Sequence, residues 1–202
     1  MTLISAAVLV AAFAIGSIPF GVVVSRLFFR RDIRSEGSGN IGAANALRTL
    51  GKRGAVAVLV LDALKGAAAV WLGRSAGGDT VAAIAAGLAV LGHCYSPFLR
   101  LNGGKGVATS FGAVLALAWP AGVAFAAVWL AIVMASGYSS AGSLAASIAM
   151  IPALSLLMGS AGAAYGTISS VIIIYKHREN IARLRAGTES VLPLFGRGKS
   201  KA

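Results

Sequence analysis

GVATSFGAVLALAWPAGVAFAAVWLAIVMASGYSSAGSLAASIAMIPALSLLMGSAGAAYGTISSVIIIY, residues 106–175, is one long apolar run without a charged side chain. A single membrane span needs only roughly 20 residues, at a rise of about 1.5 Å each, to cross about 30 Å of hydrocarbon. Three interruptions divide the run: Trp119-Pro120, Ser136-Gly137-Tyr138-Ser139-Ser140, and Gly159-Ser160-Ala161-Gly162. Each combines residues that break or turn a helix. Four short helices are therefore predicted here, some of them about 15 residues long and in need of tilt or a locally thinned bilayer. Upstream, the apolar runs 3–25, 54–73 and 80–99 add one helix each. The predicted fold class is an all-α integral membrane protein with seven transmembrane helices.

Composition agrees. Of 202 residues, 57% are hydrophobic and 12% charged, with a mean hydropathy of +0.83, which leaves too little polar surface for a soluble domain. The 26 glycines suit helices packed closely in lipid. A formal net charge of +12 raises nucleic acid as a partner, and the placement of the charges rejects it. The basic residues stand in blocks beside apolar runs, as they do where a membrane protein fixes its orientation against an anionic leaflet. With the N-terminus outside, the inner segments 26–53, 100–105, 136–140 and 176–202 hold 16 of the 18 Lys and Arg, leaving Arg74 outside and Lys65 within a span. An even helix count would put the basic tail outside. Residues 1–193 are read as one transmembrane catalytic domain and 194–202 as a basic cytoplasmic tail. The first apolar run lacks a basic leader and ends in Arg26, Arg30 and Arg31, unlike a cleaved signal peptide. The single Cys94 excludes an intrachain disulfide and is read as a small packing residue.

The inner segments carry the polar chemistry. In the first, Ser35-Glu36-Gly37-Ser38-Gly39-Asn40-Ile41-Gly42 runs into Ala43-Ala44-Asn45-Ala46-Leu47-Arg48. Closely spaced glycines permit the turns that align backbone N–H groups around an anion. Ser38, Asn40 and Asn45 add neutral donors, and Arg48 offers a planar fork for phosphate. The plainer alternative is a Gly-rich turn before a short helix. In the second, Asn102-Gly103-Gly104-Lys105-Gly106 leads directly into an apolar helix, so free N–H groups at the helix start, with Lys105 and Thr109 beside them, make a phosphate site. A flexible turn with a snorkelling lysine is the alternative. The spacing is not that of a Walker A loop, because Leu99 stands where its first glycine would be, so ATP is not implied.

Ser140 and Ser143 are further donors at the same depth, or ordinary small packing residues. His177, Asn180 and Arg183 share one face of the last helix. Asp62 and Lys65, one turn apart inside a span, either neutralise each other or face a polar cavity. His93 reads as a hydrogen-bonded structural histidine. Two separated histidines and six scattered acids suggest no metal site, and no cofactor motif is present. Polar groups confined to one side argue against a transporter or channel, which would continue them across the membrane and usually repeat its helices.

Gly16-Ser17-Ile18-Pro19, SGNIGAANALR (38–48), DALKG (62–66), GHCYSPF (92–98), GGKGVAT (103–109) and KHRENIARLRAGTE (176–189) together resemble the bacterial acyl-phosphate:glycerol-3-phosphate acyltransferases over nearly the whole chain. The resemblance implies a seven-helix enzyme of the bacterial inner membrane, with its active site on the cytoplasmic side, that joins acyl phosphate to glycerol 3-phosphate in phospholipid biosynthesis. It places Ser38, Asn40, Asn45, Arg48, Lys105, Ser140, His177 and Asn180 around the two substrates. His177, Asn180 and Ser140 are the expected catalytic positions; Ser38, Gly39, Asn40, Gly42, Asn45, Arg48, Gly103, Gly104, Lys105, Gly106, Thr109 and Ser143 are the expected binding ones. Ala44 stands where that family usually has threonine, and Leu101-Asn102 replaces a more aromatic approach to the second glycine loop. No Asp follows His93 four residues later, so the His-Asp pair of other glycerolipid acyltransferases is absent. No carboxylate is visibly placed to support His177, and its basic neighbours Lys176 and Arg178 are expected to weaken it as a base.

Overall fold

In a computed structural model that describes residues 2–193, the chain is all helix and turn; the expected basic tail, 194–202, lies outside the described residues. The helices are α1 (Leu3–Ser17), α2 (Phe20–Phe29), α3 (Ala43–Thr49), α4 (Gly51–Cys94), α5 (Val107–Leu117), α6 (Trp119–Ser136), α7 (Ser139–Lys176) and α8 (Arg178–Arg185).

Glycine and proline set the breaks. The run expected as one span at 3–25 is two helices bent by 44°. Ile18 is extended, with φ −60° and ψ 119°, as the residue before a proline prefers to be. The runs 54–73 and 80–99 are the two limbs of α4, which ends at Cys94 and turns at Gly77 and Gly78. Gly78 has a φ of 68°, open at low cost only to glycine. The limbs fold back on one another: a methyl on Gly73 would come 2.7 Å from the Ala82 Cα. α7 repeats the device at Gly159, with φ 64°, and a methyl on Gly166 would lie 3.1 Å from the Ile151 Cα. The breaks expected near Trp119-Pro120 and Gly137 also occur, at Ala118 and at Gly137–Tyr138.

Helices α4, α6 and α7 are each long and apolar enough to cross a membrane, and α1 with α2 makes a further candidate as one bent span. The packing is that of a membrane bundle. The core is largely Ala, Val, Gly and Ser, while Leu3, Phe28, Trp71, Trp119 and Leu156 are exposed around the outside. Large side chains face lipid, and small ones let backbones approach. Between α4 and α5 the approach is close enough that a methyl on Gly66 would meet the Thr109 carbonyl oxygen at 2.0 Å.

α5 has only 11 residues. Arg74, from the first limb of α4, donates to the carbonyls of Ala116 and Leu117, each at 3.0 Å. Those carbonyls have no partner further along the helix, and the guanidinium supplies one.

Candidate active site

Four segments meet at one end of the bundle: the loop between α2 and α3, the loop between α4 and α5, the start of α7, and α8 with the stretch 188–193 that follows it. Arg48 donates to the Ser190 carbonyl at 3.3 Å, and the Leu192 amide to the Gly137 carbonyl at 2.9 Å.

The first loop is built around Asn45. Its side-chain oxygen accepts the Ser38 amide at 2.9 Å. Its amide nitrogen donates to the carbonyls of Ile33, Glu36 and Asn40 at 3.1, 3.0 and 2.9 Å. Asn45 is therefore turned inward, 2% exposed, and shapes the loop instead of reaching a ligand as the sequence suggested. Gly42 lies with it, its amide donating to the Asn40 side chain at 2.9 Å. Gly37 and Gly39 take φ of 57° and 69°, and the turn they make presents Ser38, Gly39 and Asn40 to a cavity.

The second loop differs from the expected row of free amides. Gly103 and Gly104 donate back to the carbonyls of Cys94 and His93 at 3.2 and 3.0 Å. What the loop offers is Lys105, held at its tip and bonded to the Asn180 side-chain oxygen. Gly106 turns the chain into α5 with a φ of 82°. Thr109 is fully buried in the α4–α5 contact, its hydroxyl without a partner among the described residues. It does not reach the cavity. Nor does Ser143, whose hydroxyl donates to the Ser139 carbonyl of its own helix at 2.7 Å.

The cavity measures about 620 Å³. Arg48, Lys105 and Arg183 face it, with Glu179 the one acid among the described residues on its wall. Gly103, Asn102 and Ser190 complete the lining. Asn102, Glu179 and Ser190 had no place among the expected site residues.

Behind the wall lies a residue that the sequence reading missed. Glu189 accepts from Ser140 at 2.7 Å, from the Asn180 amide, and from Arg183 at 2.7 Å. Burial would raise its pKa, but the bonds from Asn180, Ser140 and Arg183 outweigh burial and hold the carboxyl below its ordinary range. Asn180 thus joins a cation to an anion, with its oxygen toward Lys105 and its nitrogen toward Glu189. Ser140 and Asn180 are both buried, one layer behind Lys105. Burial, with the nearby Arg183 adding to it, pushes Lys105 down to about 8.

His177, 3% exposed, places Nδ1 2.8 Å from the Ile173 carbonyl. A carbonyl only accepts, so Nδ1 carries the hydrogen and the neutral ring keeps Nε2 bare. Its pKa is pushed down to about 4, first by burial and then by Lys105, against the Ile173 carbonyl and Glu189. The weakening expected from Lys176 and Arg178 thus comes from other causes, and a carboxylate does stand near. Among the described residues no three His, Cys, Asp or Glu side chains group as metal ligands would.

Comparison with known proteins gives one answer. Residues 6–187 match the family model described as glycerol-3-phosphate acyltransferase. A protein of that name from Roseobacter denitrificans is 48% identical over 191 residues, covering 94% of each chain. One from Dinoroseobacter shibae is 47% identical over 180 residues, covering 89% of this chain and 88% of its own. The crystal structure of PlsY (YgiH), an integral membrane glycerol 3-phosphate acyltransferase, superposes in its glycerol 3-phosphate form with a TM-score of 0.88. It is 36% identical and covers 93% of this chain and 94% of its own. Its lysophosphatidic acid form gives 0.85 at 34% identity, over the same shares.

Proposed function

The chain belongs to the glycerol-3-phosphate acyltransferase family, a multi-pass integral membrane protein, and from that premise we propose that it transfers an acyl group from acyl phosphate to glycerol 3-phosphate. The products are 1-acyl-glycerol 3-phosphate (lysophosphatidic acid) and inorganic phosphate, and the step is the first acylation of phospholipid synthesis. The observation that carries this reading is the meeting of Arg48, Lys105 and Arg183 on one cavity at the end of an apolar bundle. Three cations against one acid suit two phosphate-bearing reactants, and the bundle beside them suits a fatty chain.

An acyl phosphate is a mixed anhydride whose leaving group is already a stable anion. The glycerol hydroxyl oxygen bonds to the acyl carbon, the bond from that carbon to the phosphate oxygen breaks, and phosphate departs with the bonding pair. The protein's work is to screen two phosphates, align the hydroxyl and stabilise the tetrahedral oxyanion. Lys105 and Arg48 hold phosphate. Ser38 and Asn40, on the facing loop, position it. His177 lies behind the lining of the cavity. Its bare Nε2 is the acceptor proposed for the hydroxyl's hydrogen bond, but with a pKa of about 4 it is a poor resting place for the proton near neutrality. The second pKa of a phosphate monoester is about 6, so the acceptor's own phosphate takes the proton.

The limbs of α4 and α7, with the bent α1–α2 pair, α5 and α6, are read as seven spans of the bacterial inner membrane. The N-terminus is outside and the cavity faces the cytoplasm, a reading that the distribution of Lys and Arg supports.

The test is phosphate release by purified protein given palmitoyl phosphate and glycerol 3-phosphate, repeated with palmitoyl-CoA. Release with the first donor and no acyl transfer from the second is expected. Equal rates with both would overturn the donor assignment.

A further inference from the structure

Three ionisable side chains lie inside the bundle where the reaction just described does not use them. Asp62 and Lys65 stand on the first limb of α4 and His93 near the end of the second, at 1%, 3% and 4% exposure. Lys65 Nζ is 2.7 Å from Asp62 Oδ1 and donates to the Ile18 carbonyl at 2.8 Å, in the break between α1 and α2. His93 Nδ1 is 3.6 Å from the same Asp62 oxygen. Neither Asp62 oxygen nor His93 Nδ1 makes a well-aligned hydrogen bond among the described residues, so charge and packing hold the group together. A buried ion pair is commonly no more stabilising than apolar side chains of the same volume. Stability alone gives no reason for three ionisable groups here.

The far edge of the imidazole supplies one. A methyl placed on Gly104 would come 2.1 Å from His93 Nε2, and one on Gly103 2.0 Å from the His93 carbonyl oxygen. The amides of the same two glycines bond to the carbonyls of His93 and Cys94. His93 therefore meets this loop with its ring and with its main chain, and the next residue along is Lys105.

We propose that Asp62, Lys65 and His93 are positioning residues for the transfer reaction. The Asp62–Lys65 pair fixes the His93 ring, the ring is the bed on which Gly104 lies beside the main-chain contact of Gly103, and the bed sets where the Lys105 ammonium stands in the cavity. This rests on the reading of Lys105 as a phosphate ligand. Two adjacent glycines have no stiffness of their own, so the loop takes its height from what lies under it. Deleting the ring lets the loop sink and spreads Lys105 over many positions.

The experiment is steady-state kinetics on the wild type, His93→Ala, Lys105→Ala and the double variant, each purified as the full chain and checked by gel filtration in detergent. His93→Ala is expected to raise KM for glycerol 3-phosphate or acyl phosphate roughly tenfold while kcat changes less than about threefold. In the Lys105→Ala background the same change is expected to alter kcat/KM by less than about twofold, because its effect passes through the missing ammonium. The substrate whose KM moves identifies the phosphate that Lys105 holds. An equal loss from His93→Ala in both backgrounds would overturn the proposal while leaving the phosphate site in place. Near-full activity of Lys105→Ala alone would instead remove the phosphate-site reading, and this inference with it. If His93→Ala does not fold, Gly104→Ala, which drives a methyl into the ring, carries the same test. A rise in KM with kcat nearly kept is then expected, and a fall in kcat alone counts against the proposal.

Discussion

Lys105 and Asn180 are bonded side chain to side chain across 75 residues of sequence. The ammonium at the tip of one loop is thereby fixed to a helix that arrives only after the rest of the bundle has been threaded. Loop and helix are set against one another before any substrate enters, and the orienting work is done in folding instead of in the reaction.

Two of the three cavity cations, Lys105 and Arg48, should therefore matter more than surface cations do. Lys105→Ala and Arg48→Ala each remove a charge-assisted bond of about 1.5–3 kcal/mol. Catalytic efficiency is expected to fall roughly 10- to 100-fold, with an unchanged gel-filtration profile. Wild-type efficiency in both variants would place the phosphates elsewhere.

The pH dependence follows from Lys105. Its pKa of about 8 means that the charge proposed to bind phosphate is present below that value and lost as pH rises through it. A falling limb of kcat/KM near pH 8 is expected, since this parameter reports groups of the free enzyme. Lys105→Arg, whose guanidinium stays charged, should move that limb to higher pH. A limb that stays put in the arginine variant would trace to another group.

A third outcome concerns the proton. With its pKa near 4, His177 is neutral across the physiological range and contributes no limb there. His177→Gln, whose amide can accept a hydrogen bond but not hold a proton, should keep measurable turnover and a rising limb near the substrate phosphate's second pKa, about 6. Abolished turnover with both substrates still binding normally would make His177 the base.

Glu189 should prove structural at heart. Its removal leaves Ser140, Asn180 and Arg183 without their acceptor, and an orphaned buried donor costs about 1–3 kcal/mol. Glu189→Ala is expected to lower the detergent-solution Tm by several degrees and to loosen Lys105 with it. Glu189→Gln, which keeps a carbonyl oxygen there, should fall between. An unchanged Tm in the alanine variant would argue that the carboxylate carries no packing.

Sidedness can be read directly. Cysteines at Thr2 and Ala186, both exposed, should react with an impermeant maleimide from opposite faces of sealed vesicles, against a silent background from the buried Cys94. Labelling of both from one face would exclude an odd number of spans.

Much of this molecule was legible in its sequence, because helix breaks depend on local chemistry. Pro120, Gly137 and Gly159 each lie at or beside a real break, and each announces itself without reference to the rest of the chain. The two glycine loops were legible for the same reason. What the sequence hid was direction. Asn45 looks like a donor for a ligand, and only the path of residues 33–40 shows that its amide is spent on three carbonyls of its own loop. Thr109 looks like part of a phosphate loop, and the approach of α4 buries it. Glu189 was invisible for a different reason. It sits beyond α8, where helical periodicity no longer says what faces what, and it meets Ser140 only because the chain doubles back across 49 residues.

The shortness of α5 has a consequence for where the chemistry takes place. Eleven residues reach only about 16 Å at 1.5 Å each, roughly half the hydrocarbon thickness. At the Leu117 end, Arg74 and its partner Asp79 favour a position near water. The shortfall then falls at the other end, where Gly106 and Lys105 border a cavity open to water. In the proposed reaction a soluble reactant goes down to that level, and a fatty one has no need to come up. Raising an acyl chain into water would cost about 0.8 kcal/mol for each methylene exposed. A floor sunk to the depth of the lipid tails spares the reaction that ascent.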